Sequence, residues 1–177
     1  MRAIPLTVTA VAAALALTAC TDGGDTAAGG SNGGSADKSA CQIGSVSVEI
    51  GPASMAPAAG DTGEVPVSIT NQSAPCTLDH FPGVTLQQGD TSAAVHALKG
   101  AKPQKLKLAK GDSASFAISY VRGKDGGETS LAAESVKVSL PGSDSTQSFP
   151  WKYGPVAGTA AENTPDASVS AFQQPGD

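Results

Sequence analysis

The stretch Ser113-Ala114-Ser115-Phe116-Ala117-Ile118-Ser119-Tyr120 decides the fold of this chain. Apolar side chains alternate along it with Ser or Ala, the period of two that is typical of a strand with one buried face. The same alternation recurs at Val46–Ile50, Val65–Ile69 and Val136–Leu140, and no stretch sustains the 3.6-residue period of a helix. Seven or eight short strands separated by turn residues predict an all-β protein, an antiparallel β-sandwich.

Three segments give weaker signals. Pro66 has no backbone N–H, so the strand that contains it is expected at a sheet edge or is expected to start late. Leu131–Glu134 has the length of one helical turn. Residues 154–166 show no alternation and are expected to be irregular, whereas Val169 and Ala171 suggest a last strand.

The N-terminal residues predict export and a lipid anchor. Arg2 is the only charge before Asp22, and residues 3–19 are apolar or small, as in a secretory signal peptide. This run is too short and too rich in Ala for a membrane span of about 20 strongly apolar residues. The tetrapeptide Leu17-Thr18-Ala19-Cys20 resembles the bacterial lipobox. That resemblance implies a signal peptide at 1–19, a diacylglyceryl group on Cys20, and a lipid-anchored protein on the extracytoplasmic face of the cell membrane.

The residues after the lipobox predict a linker. Residues 20–40 are rich in Gly, Ser, Ala and Asp and contain no large apolar side chain, so they cannot build a core and are expected to form a disordered tether. The folded domain is then expected over residues 41–172, followed by a disordered tail at 173–177. An ordinary secretory peptide, with Cys20 unmodified, is the alternative interpretation of the N-terminal segment.

Charge and cysteine content limit the function. The 177 residues carry a formal charge of −5, or −6 without Arg2, and an acidic protein is repelled by nucleic acid phosphates. If Cys20 carries lipid, Cys41 and Cys76 remain as an even pair, and a disulfide is the default in an oxidising compartment. The spacing of the two residues does not show that their sulfurs meet.

Several motifs resemble a known family. They are Pro75-Cys76-Thr77-Leu78, Phe81-Pro82-Gly83-Val84 and the Leu-Ala-Lys-Gly-Asp-Ser-Ala run at residues 108–114. Together they resemble the DUF4232 family, domains of unknown function that are common in lipoproteins of high-GC Gram-positive bacteria. The resemblance extends over roughly Cys41–Phe172. It implies an Ig-like sandwich and a disulfide between Cys41 and Cys76, but no activity, since the family has none assigned.

The sequence selects no catalytic, metal or cofactor site. His80 follows Asp79 and lies four residues after Cys76, which suggests either a Cys–His nucleophile pair or a disulfide Cys beside a polar loop. Export favours the disulfide. The only other His is His96, and the two lack the spacing of a zinc site. We therefore expect no catalytic residue, no metal and no cofactor.

Two features are candidate binding surfaces. A run of lysines is either a patch for anionic wall polymer or lipid headgroups, or an edge strand kept soluble by outward charge. The lysines are Lys99, Lys102, Lys105, Lys107 and Lys110. The aromatic residues Phe149, Trp151 and Tyr153 lie two apart, so in an extended chain they share a face. They form either a ligand platform or part of the core, and the core is favoured because the chain has few aromatic residues.

These observations lead to a functional hypothesis and its alternatives. The hypothesis is a non-enzymatic binding or interaction module at the cell envelope, with Lys105, Lys107 and Trp151 as candidate contact residues. Its partner would be an envelope protein or an anionic wall polymer. The alternatives are an envelope hydrolase or small-ligand site built on the loops around Asp79 and His80, or a passive structural lipoprotein.

Overall fold

The computed structural model describes residues 39–159 and 164–175. The predicted signal peptide, Cys20 and most of the predicted tether lie outside these residues. Within them the chain forms thirteen strands and no helix, which confirms the predicted all-β class. Accordingly, no helix of this part of the chain is long and apolar enough to cross a membrane.

The strands are mostly short. They are β1 (Val46–Ile50), β2 (Thr62–Asn71), β3 (Cys76–Leu78), β4 (Gly83–Gln88), β5 (Thr91–Ala97), β6 (Leu106–Leu108), β7 (Ser113–Val121), β8 (Ser130–Leu131), β9 (Ser135–Ser139), β10 (Thr146–Pro150), β11 (Val156–Thr159), β12 (Thr164–Pro165) and β13 (Ala167–Val169).

Eight strands form one sheet that closes around the core as a sandwich. Their order is β1-β2-β7-β13-β5-β4-β9-β10, and a three-stranded sheet (β12-β11-β8) and a two-stranded sheet (β3-β6) complete the fold. Every pairing is antiparallel except that of β13 with β5. The parallel contact of β13 therefore joins the β1-β2-β7 half of the sheet to the β5-β4-β9-β10 half.

The central strand β7 behaves as its sequence predicts. It pairs with β2 over nine residue positions, and buried side chains alternate along it with partly exposed ones. Phe116, Ile118 and Tyr120 are each at most 2% exposed. The Phe116 ring meets Phe172 edge-on at 5.8 Å, so the C-terminal segment closes the core over β7.

The position expected for Pro66 was wrong. Its strand, β2, lies between β1 and β7 and is not at an edge. Pro66 is tolerated there because its missing N–H lies where the β1–β2 pairing stops. The Gly51 N–H donates to the Pro66 carbonyl at 2.9 Å, and β1 ends one residue earlier, at Ile50. Pro66 therefore lacks only the return bond to Gly51, beyond the end of β1.

Three expectations in the C-terminal third also need correction. Leu131 belongs to strand β8, not to a helical turn, and residues 154–166 contain β11 and β12. The aromatic row is not continuously extended, because β10 ends at Pro150. The two-residue strands β8 and β12 hold no full alternation and could not be recognised, so the sequence predicted fewer strands than the fold contains.

The domain begins beside the small sheet. The Cys41 N–H donates to the Thr77 carbonyl at 3.0 Å, and the Thr77 N–H donates to the Ser39 carbonyl at 2.8 Å. Thr77 in turn pairs with Lys107 of β6. Cys41 and Cys76 form a disulfide with their Cα atoms 4.9 Å apart, as the family resemblance implied.

Candidate functional site

The predicted lysine run forms an exposed surface, here called the Lys surface. All five of its side chains are exposed. The members are Lys99, Lys102, Lys105, Lys107 and Lys110. Two of them flank or lie on β6, and the others come from the loop before it and the turn after it.

The alternation of β6 points its lysines outward. Leu106 is 7% exposed and Leu108 is fully buried, so Lys105 and Lys107 share the opposite, solvent face. Asn71, which is fully buried, fixes this strand: its side-chain amide donates to the carbonyls of Leu108 and Ala74, each at 3.0 Å. The position of the lysines is therefore set by apolar packing and by one satisfied buried amide.

One lysine of the surface is neutralised. Lys105 Nζ lies 3.4 Å from Asp79 Oδ2, and the pair is exposed to water. Within the described residues, Lys99, Lys102, Lys107 and Lys110 have no acidic partner within salt-bridge distance. Among the described residues, a ligand that binds these four lysines therefore breaks no ion pair, and the exposed Lys105–Asp79 pair is itself weak.

Asp79 and His80 meet, but on the surface. His80 Nδ1 lies 3.4 Å from Asp79 Oδ1, and the His80 side chain is 78% exposed. His80 also has a φ of 68°, in the left-handed region that non-glycine residues adopt mainly in turns. Cys76, the nucleophile of the alternative interpretation, is held in the disulfide and has no thiol to ionise.

His96 lies on β5 and is exposed. Among residues 39–159 and 164–175, no group of three or more His, Cys, Asp or Glu side chains is arranged to hold a metal ion. The expected absence of a metal site stays a prediction.

A second candidate site is a cavity that the sequence did not reveal. It has a volume of about 330 Å³ and is lined by Asp125, Gly126, Ala133, Trp151, Lys152 and Pro155, among others. The walls are largely apolar, and Asp125 and Lys152 place opposite charges at its exposed rim. Its size is at the lower end of the range for small-molecule sites.

Trp151 forms the rigid wall of this cavity. The residue is 6% exposed, so most of its ring lies in the core. Its indole N–H donates to the Gly154 carbonyl at 2.7 Å, and its ring meets Tyr120 at 5.2 Å and Tyr153 at 4.8 Å, both edge-on. This packing holds one edge of Trp151 at the cavity and leaves no exposed aromatic platform.

Near the cavity lie a tyrosine with a raised pKa, Tyr153, and an arginine held by a hydrogen bond and an ion pair, Arg122. Burial raises the pKa of Tyr153 above its ordinary value, and the neighbouring Tyr120 raises it further. Arg122 donates to the Ala56 carbonyl at 3.1 Å and lies 3.8 Å from Asp125 Oδ2. The perturbation of Tyr153 by Tyr120 and the bond from Arg122 to Ala56 could not be predicted, because each joins segments that are far apart in the chain.

The Lys surface and the cavity lie toward opposite ends of β7. Lys110 precedes the first residue of β7, and the Gly123 N–H, just after the last, donates to Pro155 of the cavity at 2.9 Å. Nine residues of strand extend about 30 Å. The two candidate sites are therefore separate.

The fold and the disulfide define a class: an all-β sandwich domain closed at its start by one disulfide. The family described as "Domain of unknown function (DUF4232)" matches residues 41–173. The chain therefore belongs to the DUF4232 family, as its motifs indicated. Comparison with curated proteins gives no match, and comparison with solved structures gives none either.

Proposed function

We propose that the protein is a non-enzymatic binding module, held by a lipid on Cys20 at the outer face of the cytoplasmic membrane. In this proposal the Lys surface is the binding face, and its ligand is a phosphate-bearing, anionic component of the cell envelope.

The observation that carries the proposal is the positive charge of one short stretch in an acidic chain. Residues 99–112 contain five Lys and one acidic residue, a formal charge of +4, so a total of −5 leaves −9 on all the other residues. Clustered exposed cations attract phosphate at long range and do not require a pocket. The alternative, that the lysines only keep the outer strand β6 soluble, predicts no ligand.

The disulfide supports the proposed location. Cys41 is fully buried and bonded to Cys76, and such bonds persist in oxidising compartments but are rare in the cytosol. Export of the chain agrees with the lipobox interpretation, in which the apolar signal-peptide residues 3–19 end directly before Cys20.

The test is the phosphate that copurifies with the full-length protein from detergent-solubilised envelope. The first variant removes three unpaired lysines of the Lys surface: Lys102→Ala, Lys107→Ala and Lys110→Ala. The control removes three lysines outside it: Lys124→Ala, Lys137→Ala and Lys152→Ala.

The proposal predicts that the first variant loses most of the bound phosphate and that the control keeps it. Equal retention by both variants would contradict the binding face. Turnover of a wall substrate by the purified protein, without a bound partner, would contradict the non-enzymatic role.

A second candidate function is a small-ligand site at the cavity, which its volume and apolar walls favour. Trp151 is the only Trp of the chain, so its fluorescence reports on this site alone. N-acetylglucosamine is a suitable probe because it combines an apolar ring face with amide and hydroxyl groups. A saturable change of the emission supports the site, and constant emission at millimolar probe contradicts it for this ligand class.

A further inference from the structure

We propose that the Lys surface docks onto the anionic lipid headgroups of the membrane that carries the protein's own anchor. This inference rests on the proposed function, since it requires a lipid on Cys20. It goes further by naming the source of the phosphate, a lipid bilayer and not a wall polymer, and by fixing which end of the domain faces the membrane.

The chain enters the domain close to the Lys surface. Ser39 and Cys41 are hydrogen-bonded to Thr77 of β3, and Thr77 pairs with Lys107 of β6. Only β3 separates the incoming chain from β6, a distance of two strand spacings, or about 10 Å. The segment that comes from the anchor thus reaches the domain beside the Lys surface.

The chain between the proposed anchor and this point is short. The sequence predicts a tether from Cys20 to Ala40, and about 20 residues of this composition span roughly 25 Å. A tether of this span lets the Lys surface come within the Debye length of about 8–10 Å over which it would attract the headgroups. A short tether of this kind gives an effective concentration in the millimolar range, so weak contacts suffice.

Charge is distributed unevenly along the chain. Lys110 and Lys124 lie beyond opposite ends of β7, which is about 30 Å long. The Lys surface holds five of the eleven Lys and Arg residues within 14 positions, whereas the chain outside residues 99–112 has a formal charge of −9. An anionic membrane attracts the first and repels the second, so both effects favour the same orientation.

The partly exposed leucine beside the Lys surface fits a lipid partner better than a soluble polymer. Leu98, directly before Lys99, is 49% exposed and is one of two large apolar side chains that stand out on the described surface. It begins a turn in which the Ala101 N–H donates to the Leu98 carbonyl at 3.0 Å. An exposed apolar side chain beside lysines can insert at the boundary between headgroups and acyl chains while the lysines contact the headgroups.

The experiment uses the protein purified from its native membrane and reconstituted into two kinds of vesicle. One is phosphatidylcholine alone, and in the other about a third of the lipid is phosphatidylglycerol. A neutral acetylating ester labels lysines, and mass spectrometry gives the rate at each position. Lys124 and Lys152, near the cavity, are the internal controls.

We expect acetylation of Lys102, Lys107 and Lys110 to slow several-fold in the phosphatidylglycerol vesicles. The rates at Lys124 and Lys152 should stay unchanged. About 0.5 M NaCl should abolish the difference, because it shortens the screening length to about 4 Å. Unchanged rates at the Lys surface, or equal slowing at the two controls, would overturn the inference.

Two further arms separate the remaining outcomes. Flotation with phosphatidylcholine vesicles reports the anchor alone: protein that fails to float contradicts the proposed lipidation, whereas protein that floats with unprotected lysines contradicts only the docking. Soluble polyphosphate, added to phosphatidylcholine vesicles, stands in for a wall polymer. Protection by polyphosphate but not by phosphatidylglycerol would identify a polymer and overturn the membrane assignment.

A variant gives an independent readout. For soluble, unacylated protein of the mature length (residues 20–177) carrying Cys20→Ala, binding to phosphatidylglycerol vesicles should weaken about fivefold for each of Lys99, Lys102, Lys107 and Lys110 that is changed to Ala. Lys124→Ala should leave this binding unchanged. An equal loss for Lys107→Ala and Lys124→Ala would contradict a defined docking face.

Discussion

Tyr120 and Tyr153 are joined by a hydrogen bond from the hydroxyl of the first to the backbone carbonyl of the second, at 3.0 Å. The same hydroxyl accepts a hydrogen bond from the Ala56 N–H at 3.3 Å. One buried side chain of the central strand therefore holds two loops, the one after β1 and the one after β10. The hydrogen bond from Tyr120 to the Tyr153 carbonyl helps to position Trp151 in the cavity wall, because Trp151 packs against both tyrosine rings.

Tyr120→Phe should destabilise the domain by about 1–3 kcal/mol, because the fully buried Ala56 loses the acceptor of its N–H and the Tyr153 carbonyl loses its donor. Urea denaturation measures the change. Tyr153→Phe is the matched control, since it keeps the carbonyl that accepts the bond. An unchanged free energy of unfolding for Tyr120→Phe would show that water replaces both partners.

Gly63→Ala should also be destabilising, by about 1–3 kcal/mol. Gly63 is directly opposite Tyr120 on the neighbouring strand, and a methyl group there would run into the Tyr120 ring. Gly51→Ala is the control, since its methyl would come no closer than 3.3 Å to the Pro66 ring. Thermal unfolding of the two variants should separate them clearly. Equal melting temperatures would contradict the tight contact.

Tyr153 should titrate above its ordinary pKa of 10.0, because burial disfavours the phenolate and Tyr120 disfavours it further. The chain has two Tyr, so ultraviolet titration of wild type minus Tyr153→Phe isolates this group. A difference midpoint at or below 10.0 would contradict the burial.

The same shift has a consequence for stability. The folded-state pKa of Tyr153 exceeds the unfolded value. The stability that the neutral Tyr153 side chain contributes is therefore complete below pH 10 and is lost as the pH rises through the folded-state pKa. The fall in stability above pH 10 should therefore be shallower in Tyr153→Phe than in wild type. Urea midpoints measured at several alkaline pH values test this.

Replacing both Cys41 and Cys76 by Ala should lower the free energy of unfolding by about 3–4 kcal/mol, the chain-entropy value for a loop of 35 residues. The loss should match that caused by reducing the wild type. Reduction should leave the double variant unaffected, which makes it the control for the reductant. A double variant as stable as the oxidised wild type would mean that the bond constrains little.

The strands with regular alternation could be predicted from the sequence, and β7 is the clearest case. Its apolar residues fall on one face because the core takes one face of the sheet. Pro66 misled the prediction because a proline is compatible with an inner strand where the neighbouring strand ends, and the sequence does not state where β1 ends. The two-residue strand β8 carries no period at all.

Of the two candidate sites, the Lys surface could be predicted from the sequence and the cavity could not. Lys105 and Lys107 could be placed on an outer face from the buried leucines between and beside them. The cavity could not, because it is built from residues near 125, near 133 and near 151 that meet only in the folded chain. Gly154, three residues after Trp151, is a local sign of a turn in the sequence, and in the structure it has a φ of 82°.

The most direct test of the account is the intact mass of the protein purified from its native membrane. The account predicts a chain that begins at Cys20, carries a diacylglyceryl group on that residue, and is two hydrogens lighter because Cys41 and Cys76 are joined. A product with an unmodified Cys20, or with free thiols at both other cysteines, would contradict it.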